Sequence, residues 1–132
     1  MSLEFTISSL IPATPQEIYH AWMSSDGHSA MTGSPAKISP ELGGKFEAWD
    51  GYIHGTNLEL VPGKRIVQSW RTVEFSADEP DSRIEISLDA EGEQTRLTLH
   101  HTGLPPHGKQ YEQGWVESYY EPMKEYFKTK KK

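Results

Sequence analysis

Six histidines and nineteen acidic residues, with no cysteine among 132 residues, bound the chemistry open to this chain. Without a thiol there can be no disulfide framework, thiolate metal site or cysteine nucleophile. A metal would need imidazoles and carboxylates spaced so that several meet one ion. His100 and His101 are neighbours on a predicted strand and therefore point to opposite faces. His54 and His107 fall near turns, and no histidine pair has the spacing that puts two rings on one side of a helix, so no metal is expected. His101 shares the inward register of Leu97 and Leu99, near the mouth of the predicted sheet. A hydrogen-bonded histidine closing the sheet is favoured there over a ligand contact or a general base. The carboxylates Glu47, Glu59, Glu74 and Glu85 fall mainly at outward strand positions, and Arg71 ends a strand where a surface ion pair is favoured over an anionic ligand head. There is no nucleophile elbow, phosphate loop or pair of inward acids, so no catalytic residue is assigned and no cofactor is expected. Binding is favoured over catalysis.

The elements that must hold these residues can be read from periodicity. Leu3 to Ser8 alternates as a half-buried strand. Thr14, Pro15 and Glu17 open a helix whose apolar face is Ile18, Ala21 and Trp22, leaving Glu17 and His20 exposed. Ser24 to Pro35 reads as a second short helix or an ordered loop. Strands follow, punctuated by Gly43-Gly44, Asp50-Gly51, Pro62-Gly63 and the hairpin around Gly92. Gly103, Pro105, Pro106 and Gly108 then stop the sheet. From Gly114 to Phe127, Trp115, Tyr119, Met123 and Tyr126 recur every three or four residues and form one aromatic helical face. The order predicts an α+β helix-grip fold: a curved antiparallel sheet of about six or seven strands wrapped around a long C-terminal helix, with one or two short helices after the first strand. Phe46, Trp70, Ile84, Ile86, Leu88, Leu97 and Leu99 should face that helix. Gly114 and Pro122 are unusual within a helix. Gly114 would allow close approach to the sheet, and Pro122 would kink the helix near Ser118.

The formal charge is −6, yet four of thirteen basic residues are Lys128, Lys130, Lys131 and Lys132; the remaining nine bases and nineteen acids leave −10 on residues 1–127. Such a body repels nucleic acid and anionic membranes, and neither is an expected partner. The lysines suit a solvated, frayed helix end at 128–132. The N-terminus lacks a signal-peptide pattern and no apolar run approaches a membrane span, so a soluble cytoplasmic protein is expected. Residues 1–132 read as a single domain, a monomer or weak dimer.

Three blocks carry a family resemblance: Gly43-Gly44-Lys45-Phe46, Leu60 through Arg71, and Gly114-Trp115 through Phe127. In that order they resemble the activators of the heat shock protein 90 ATPase, in particular the C-terminal domain of the eukaryotic activator and its stand-alone homologues, within the START-like or SRPBCC superfamily. The resemblance implies a helix-grip fold with a cavity between sheet and helix, used by many superfamily members for apolar ligands, and a chaperone-linked, stress-response role. The separate N-terminal domain of the eukaryotic activator is expected to be absent here, and Met31 stands where many stand-alone relatives carry Trp. The expected cavity is lined by Trp22, Phe46, Trp70, Leu97, Leu99, His101, Trp115, Tyr119 and Met123. Two functions follow: a non-catalytic module for a small apolar or amphipathic ligand, or a protein-interaction module stimulating the heat shock protein 90 ATPase.

Overall fold

Alternating inward and outward side chains build one sheet in the computed structural model of the protein, which describes residues 3–130. The strands are β1 (Leu3–Ile11), β2 (Lys37–Ile38), β3 (Lys45–Ala48), β4 (Ile53–Val61), β5 (Arg65–Thr72), β6 (Ser82–Glu91) and β7 (Gln94–Leu104). They pair antiparallel in the order β1-β7-β6-β5-β4-β3-β2, so β2 to β7 is a meander and β1 lies beside β7. Register sets the core: Ile84 pairs with His101, Ile86 with Leu99 and Leu88 with Leu97. Each of these six side chains is at most 5% exposed, as are Phe46 and Trp70, so alternation alone identified the inner face.

Between β1 and β2 stand α1 (Pro15–Trp22) and α2 (Ser25–Thr32). Thr14 and Glu17 close a capping box on α1: the Glu17 amide donates to the Thr14 hydroxyl and the Thr14 amide to the Glu17 carboxylate. The segment after Ser24 is a helix, capped by the Ser24 hydroxyl and ended by Gly33 in the left-handed conformation. It buries His28 and Met31, one turn apart.

The C-terminal helical run starts earlier than Gly114. A 3₁₀ turn over Pro106–Lys109 leads into α3 (Gln110–Trp115), a π-helical turn over Val116–Tyr120, and α4 (Glu121–Lys130). The Glu121 amide donates to the Val116 carbonyl, five residues back, and Pro122 then stands in the first turn of α4, where a missing N–H does least harm. At Ser118, where a bend is expected, the helix carries a π turn. Its extra residue also delays the buried stripe, so Phe127 (1% exposed) replaces the expected Tyr126 as the last inward ring. Lys128 and Lys130 fall within α4, while Lys131 and Lys132 lie outside the described residues.

A buried polar chain ties α1 to the sheet and to the segment before β3. The Trp22 indole donates to the Gln68 side-chain oxygen (3.3 Å), and the Gln68 amide donates to Asn57 Oδ1 (2.9 Å). Asn57 Nδ2 in turn donates to the carbonyls of Ser39 (2.7 Å) and Glu41 (2.8 Å). Asn57→Ala strands these buried partners and should destabilise the fold by roughly 3 kcal/mol in urea unfolding at pH 7.5. A loss below about 1 kcal/mol would mean that water replaces the amide.

Candidate functional site

Two rows of side chains four residues apart run along the start of the C-terminal helix. Tyr111, Trp115 and Tyr119 form an aromatic row; Gln110, Gly114 and Ser118 form a small or polar row beside it. Both rows face Trp49, Tyr52, Ile53 and Trp70 from the sheet, and together these residues line a half-open pocket of about 530 Å³. Gly114 has a different purpose from the one its sequence position suggested. A Cβ built there meets nothing within 4 Å, so close helix–sheet approach does not require glycine; the missing side chain leaves the pocket open instead.

The opposite wall is held by an unusual turn. Trp49 (φ 55°) and Asp50 (φ 56°) lie in the left-handed region, followed by Gly51 (φ 90°). For Trp49 this costs about 1–2 kcal/mol. The turn is fastened by the Asp50 amide on the Pro35 carbonyl (2.9 Å) and the Tyr52 amide on the Trp49 carbonyl (3.1 Å). It sets the Trp49 ring edge-on to Tyr119, with centroids 6.2 Å apart. The rings continue without a break from Tyr119 to Trp115 (4.7 Å), Trp70 (5.7 Å from Trp115) and Tyr111 (4.9 Å from Trp70).

Every polar tip on the aromatic row is engaged within the protein. Tyr119 donates to His28 Nε2 (2.8 Å), while His28 Nδ1–H donates to the Trp22 carbonyl (3.0 Å), which fixes the tautomer. The Trp115 indole donates to His101 Nδ1 (3.0 Å), leaving Nε2–H to donate to the Ser82 hydroxyl (2.8 Å), which donates to the Trp70 carbonyl (2.6 Å). Tyr111 shares a hydrogen bond with the Thr72 hydroxyl (2.7 Å). His101 is fully buried with both ring nitrogens occupied, so it has no lone pair to offer a substrate proton. Among the described residues, no three histidine or acidic side chains are placed to hold a metal ion.

Of the nine residues expected to line a cavity, Trp70, Trp115 and Tyr119 border the pocket. Trp22 stacks behind Trp115 at 6.2 Å and packs against Tyr119 at 5.0 Å. His101 lies beneath Trp70 and Trp115, and Phe46, Leu97, Leu99 and Met123 belong to the packed core. Trp49, Tyr52, Ile53, Gln110, Tyr111, Gly114 and Ser118 were not among the expected lining residues. The four-residue spacing of 110, 114 and 118 beside 111, 115 and 119 was the signal for the helical part. His28 had no such signal until α2 was established as a helix.

Burial pushes the His28 imidazole below its usual range, with the Trp22 carbonyl acting in the opposite direction, and lowers His101 to about 3, with a smaller contribution from the charge of His100. Burial likewise pushes the Tyr119 phenol well above its usual range. Both buried rings are therefore neutral in the folded protein, whereas the unfolded chain takes up protons below about pH 6.5. Their contribution to stability is complete above that pH and is lost as pH falls from about 6.5 toward the lowered folded values. For His101 the loss between pH 7.5 and 5 should be about 2 kcal/mol. Urea unfolding of His101→Gln should show lower stability at pH 7.5 but a shallower pH dependence by about that amount. An unchanged slope would mean that His101 takes up its proton without unfolding.

The seven-stranded antiparallel sheet, the paired short helices and the long helix across the concave face define a START-like helix-grip protein, and the pocket lies where sheet and helix diverge. Residues 12–128 match the family model described as "Activator of Hsp90 ATPase homolog 1-like protein", and the chain belongs to this family. It is 30% identical over 125 residues to the human activator of 90 kDa heat shock protein ATPase homolog 1, a match covering 94% of this chain and 37% of that protein. The chain thus spans about a third of the length of such curated relatives. In fold it is similar to an HSP90 activator from Plasmodium falciparum, PFC0360w, with TM-score 0.82, 20% identity and coverage of 90% of this chain and 91% of the other. CalU16 from Micromonospora echinospora has the same fold, with TM-score 0.79, 23% identity and coverage of 96% and 76%. Among the described residues no helix is long and apolar enough to cross a membrane.

Proposed function

We propose that this chain is a ligand-binding module that holds a small apolar or amphipathic molecule between Trp49 and Trp70 on the sheet side and Trp115 and Tyr119 on the helix. The observation that carries this reading is Gly114. A helical glycine costs about 1 kcal/mol relative to alanine, no neighbour demands it, and its absent side chain opens into the pocket. The polar groups of Gln110 and Ser118 would orient the ligand at the helical wall. In this reading the protein is a single-domain, non-catalytic component of the cytoplasm. A neutral fluorescent probe such as N-phenyl-1-naphthylamine should bind wild-type protein saturably. Gly114→Ala should be more stable by about 1 kcal/mol and bind about threefold more weakly, because its methyl group enters the pocket. Gly114→Leu should remain folded and bind at least about tenfold more weakly, because the leucine side chain occupies pocket volume. Equal probe affinity in Gly114→Leu would rule out this pocket as the ligand site.

A second reading is favoured by a separate observation, the family match and the activators among its relatives. In it the chain contacts a chaperone of the 90 kDa heat shock class through its outer surface and raises the ATPase rate as part of a stress response. Titrating the protein into purified chaperone should raise the steady-state ATP hydrolysis rate, and Gly114→Leu should raise it equally because in this reading the pocket takes no part in the contact. A flat titration into the micromolar range would remove the chaperone reading and leave the ligand reading untouched.

A further inference from the structure

The pocket is unusual in what its rings withhold. Six of its ten lining residues are aromatic, yet the Tyr119 hydroxyl is committed to His28, the Tyr111 hydroxyl to Thr72, the Tyr52 hydroxyl to Glu74 and the Trp115 indole N–H to His101. These four polar tips are turned to partners within the protein, so these four rings offer a ligand mainly the faces and edges of their π systems. Gln110 and Ser118 add side-chain acceptors on the helical wall only, so a ligand carrying N–H or O–H donors on its other sides would leave those unpaired on entry. What such a wall attracts beyond an apolar body is positive charge, because the face of an aromatic ring carries the negative end of its quadrupole.

Three further observations favour a cation. No lysine, arginine or histidine lines the pocket, so no resident positive charge competes for the rings. The Tyr52 hydroxyl donates a hydrogen bond to the Glu74 carboxylate, which enriches that ring in electron density and places a negative charge beside it. The chain as a whole carries −6, so at long range it attracts cations rather than anions. An ammonium with free N–H groups remains strongly hydrated and needs acceptors. A fully alkylated one has no donors to satisfy and sheds its weakly held water readily. Accepting that the pocket is a ligand site, we propose that it is an aromatic cage selecting an amphipathic organic cation, with a quaternary or fully alkylated ammonium lodged among Trp49, Tyr52, Trp70 and Tyr119.

The test compares benzyltrimethylammonium with its neutral carbon isostere, neopentylbenzene, by tryptophan fluorescence and calorimetry on the full chain at constant chloride. The cation should bind about tenfold more tightly than the isostere, the scale of a cation–π contribution of about 1.4 kcal/mol. Gly114→Leu should lose both ligands. Trp49→Asn, whose new residue tolerates the left-handed backbone at this position, should reduce the preference for the cation while retaining the wild-type circular dichroism spectrum. A preference below about threefold overturns the cage and leaves a neutral apolar pocket. Cation binding that survives Gly114→Leu also overturns it, by moving the cation to the surface. If neither compound binds wild-type protein, the cage falls, while the ligand-binding reading that it refines is decided separately by the N-phenyl-1-naphthylamine titration.

Discussion

Four aromatic side chains of the C-terminal helical run, Tyr111, Trp115, Tyr119 and Tyr120, are each anchored at two ends, and the remaining architecture depends on this. Their ring bodies fill the concavity of the sheet, while their polar tips reach separate elements. Trp115 reaches His101 on β7, Tyr119 reaches His28 on α2, and Tyr120 donates to the Ile7 carbonyl on β1 at 2.8 Å. Tyr111 meets Thr72 at the end of β5. Apolar burial alone would press the helix onto the sheet but tolerate sliding and rotation, because it has no direction. Four directional contacts to four elements remove that freedom. Each buried tip left without its partner would be penalised by about 1–3 kcal/mol. The helix therefore has one register, and the pocket has a fixed rather than a collapsible wall.

The π turn aligns those side chains. On an uninterrupted α-helix a four-residue repeat drifts by about 40° per step, so Trp115, Tyr119, Met123 and Phe127 would spread over about 120° of the helix. One extra residue in the turn over Val116–Tyr120 takes up part of that drift and keeps the row together with Tyr120 beside it, and all five side chains are at most 4% exposed. Pro122 supports this arrangement by lacking the amide that a regular helix would have aimed at the Ser118 carbonyl. The irregularity lies directly beside the pocket row Gln110, Gly114 and Ser118, in keeping with the frequent occurrence of π turns at functional sites.

Much of the fold was legible because it rests on short-range rules. Alternation assigned the inner faces of β6 and β7, the capping box marked the start of α1, and the turn glycines divided the meander. Where legibility failed, long-range partners decided the outcome. The helix start was placed at Gly114 because Pro105, Pro106 and Gly108 looked like an end of structure, although prolines are well suited to a helical first turn. Tyr126 was preferred to Phe127 because a 3.6-residue period cannot anticipate a π turn. The site was less legible than the core, since large inward residues on a sheet usually pack against one another. Leu97, Leu99 and Met123 do so. The pocket instead forms where the inward positions are small or where the backbone departs from regularity.

That distinction bears on function. A helix-grip core of this size could narrow the gap between α3 and the turn at Trp49 with alanine at position 114 or fill much of it with leucine, gaining helix propensity and buried apolar area together. The turn could carry glycine or asparagine at position 49 and relieve a left-handed tryptophan. Neither stabilising choice is present. Two separate departures from the most stable local sequence, on opposite walls, preserve one opening and hold an indole over it. Local costs that converge on a single cavity, in a fold otherwise free of buried unsatisfied side-chain polar atoms among the described residues, support the proposal that the cavity binds a ligand.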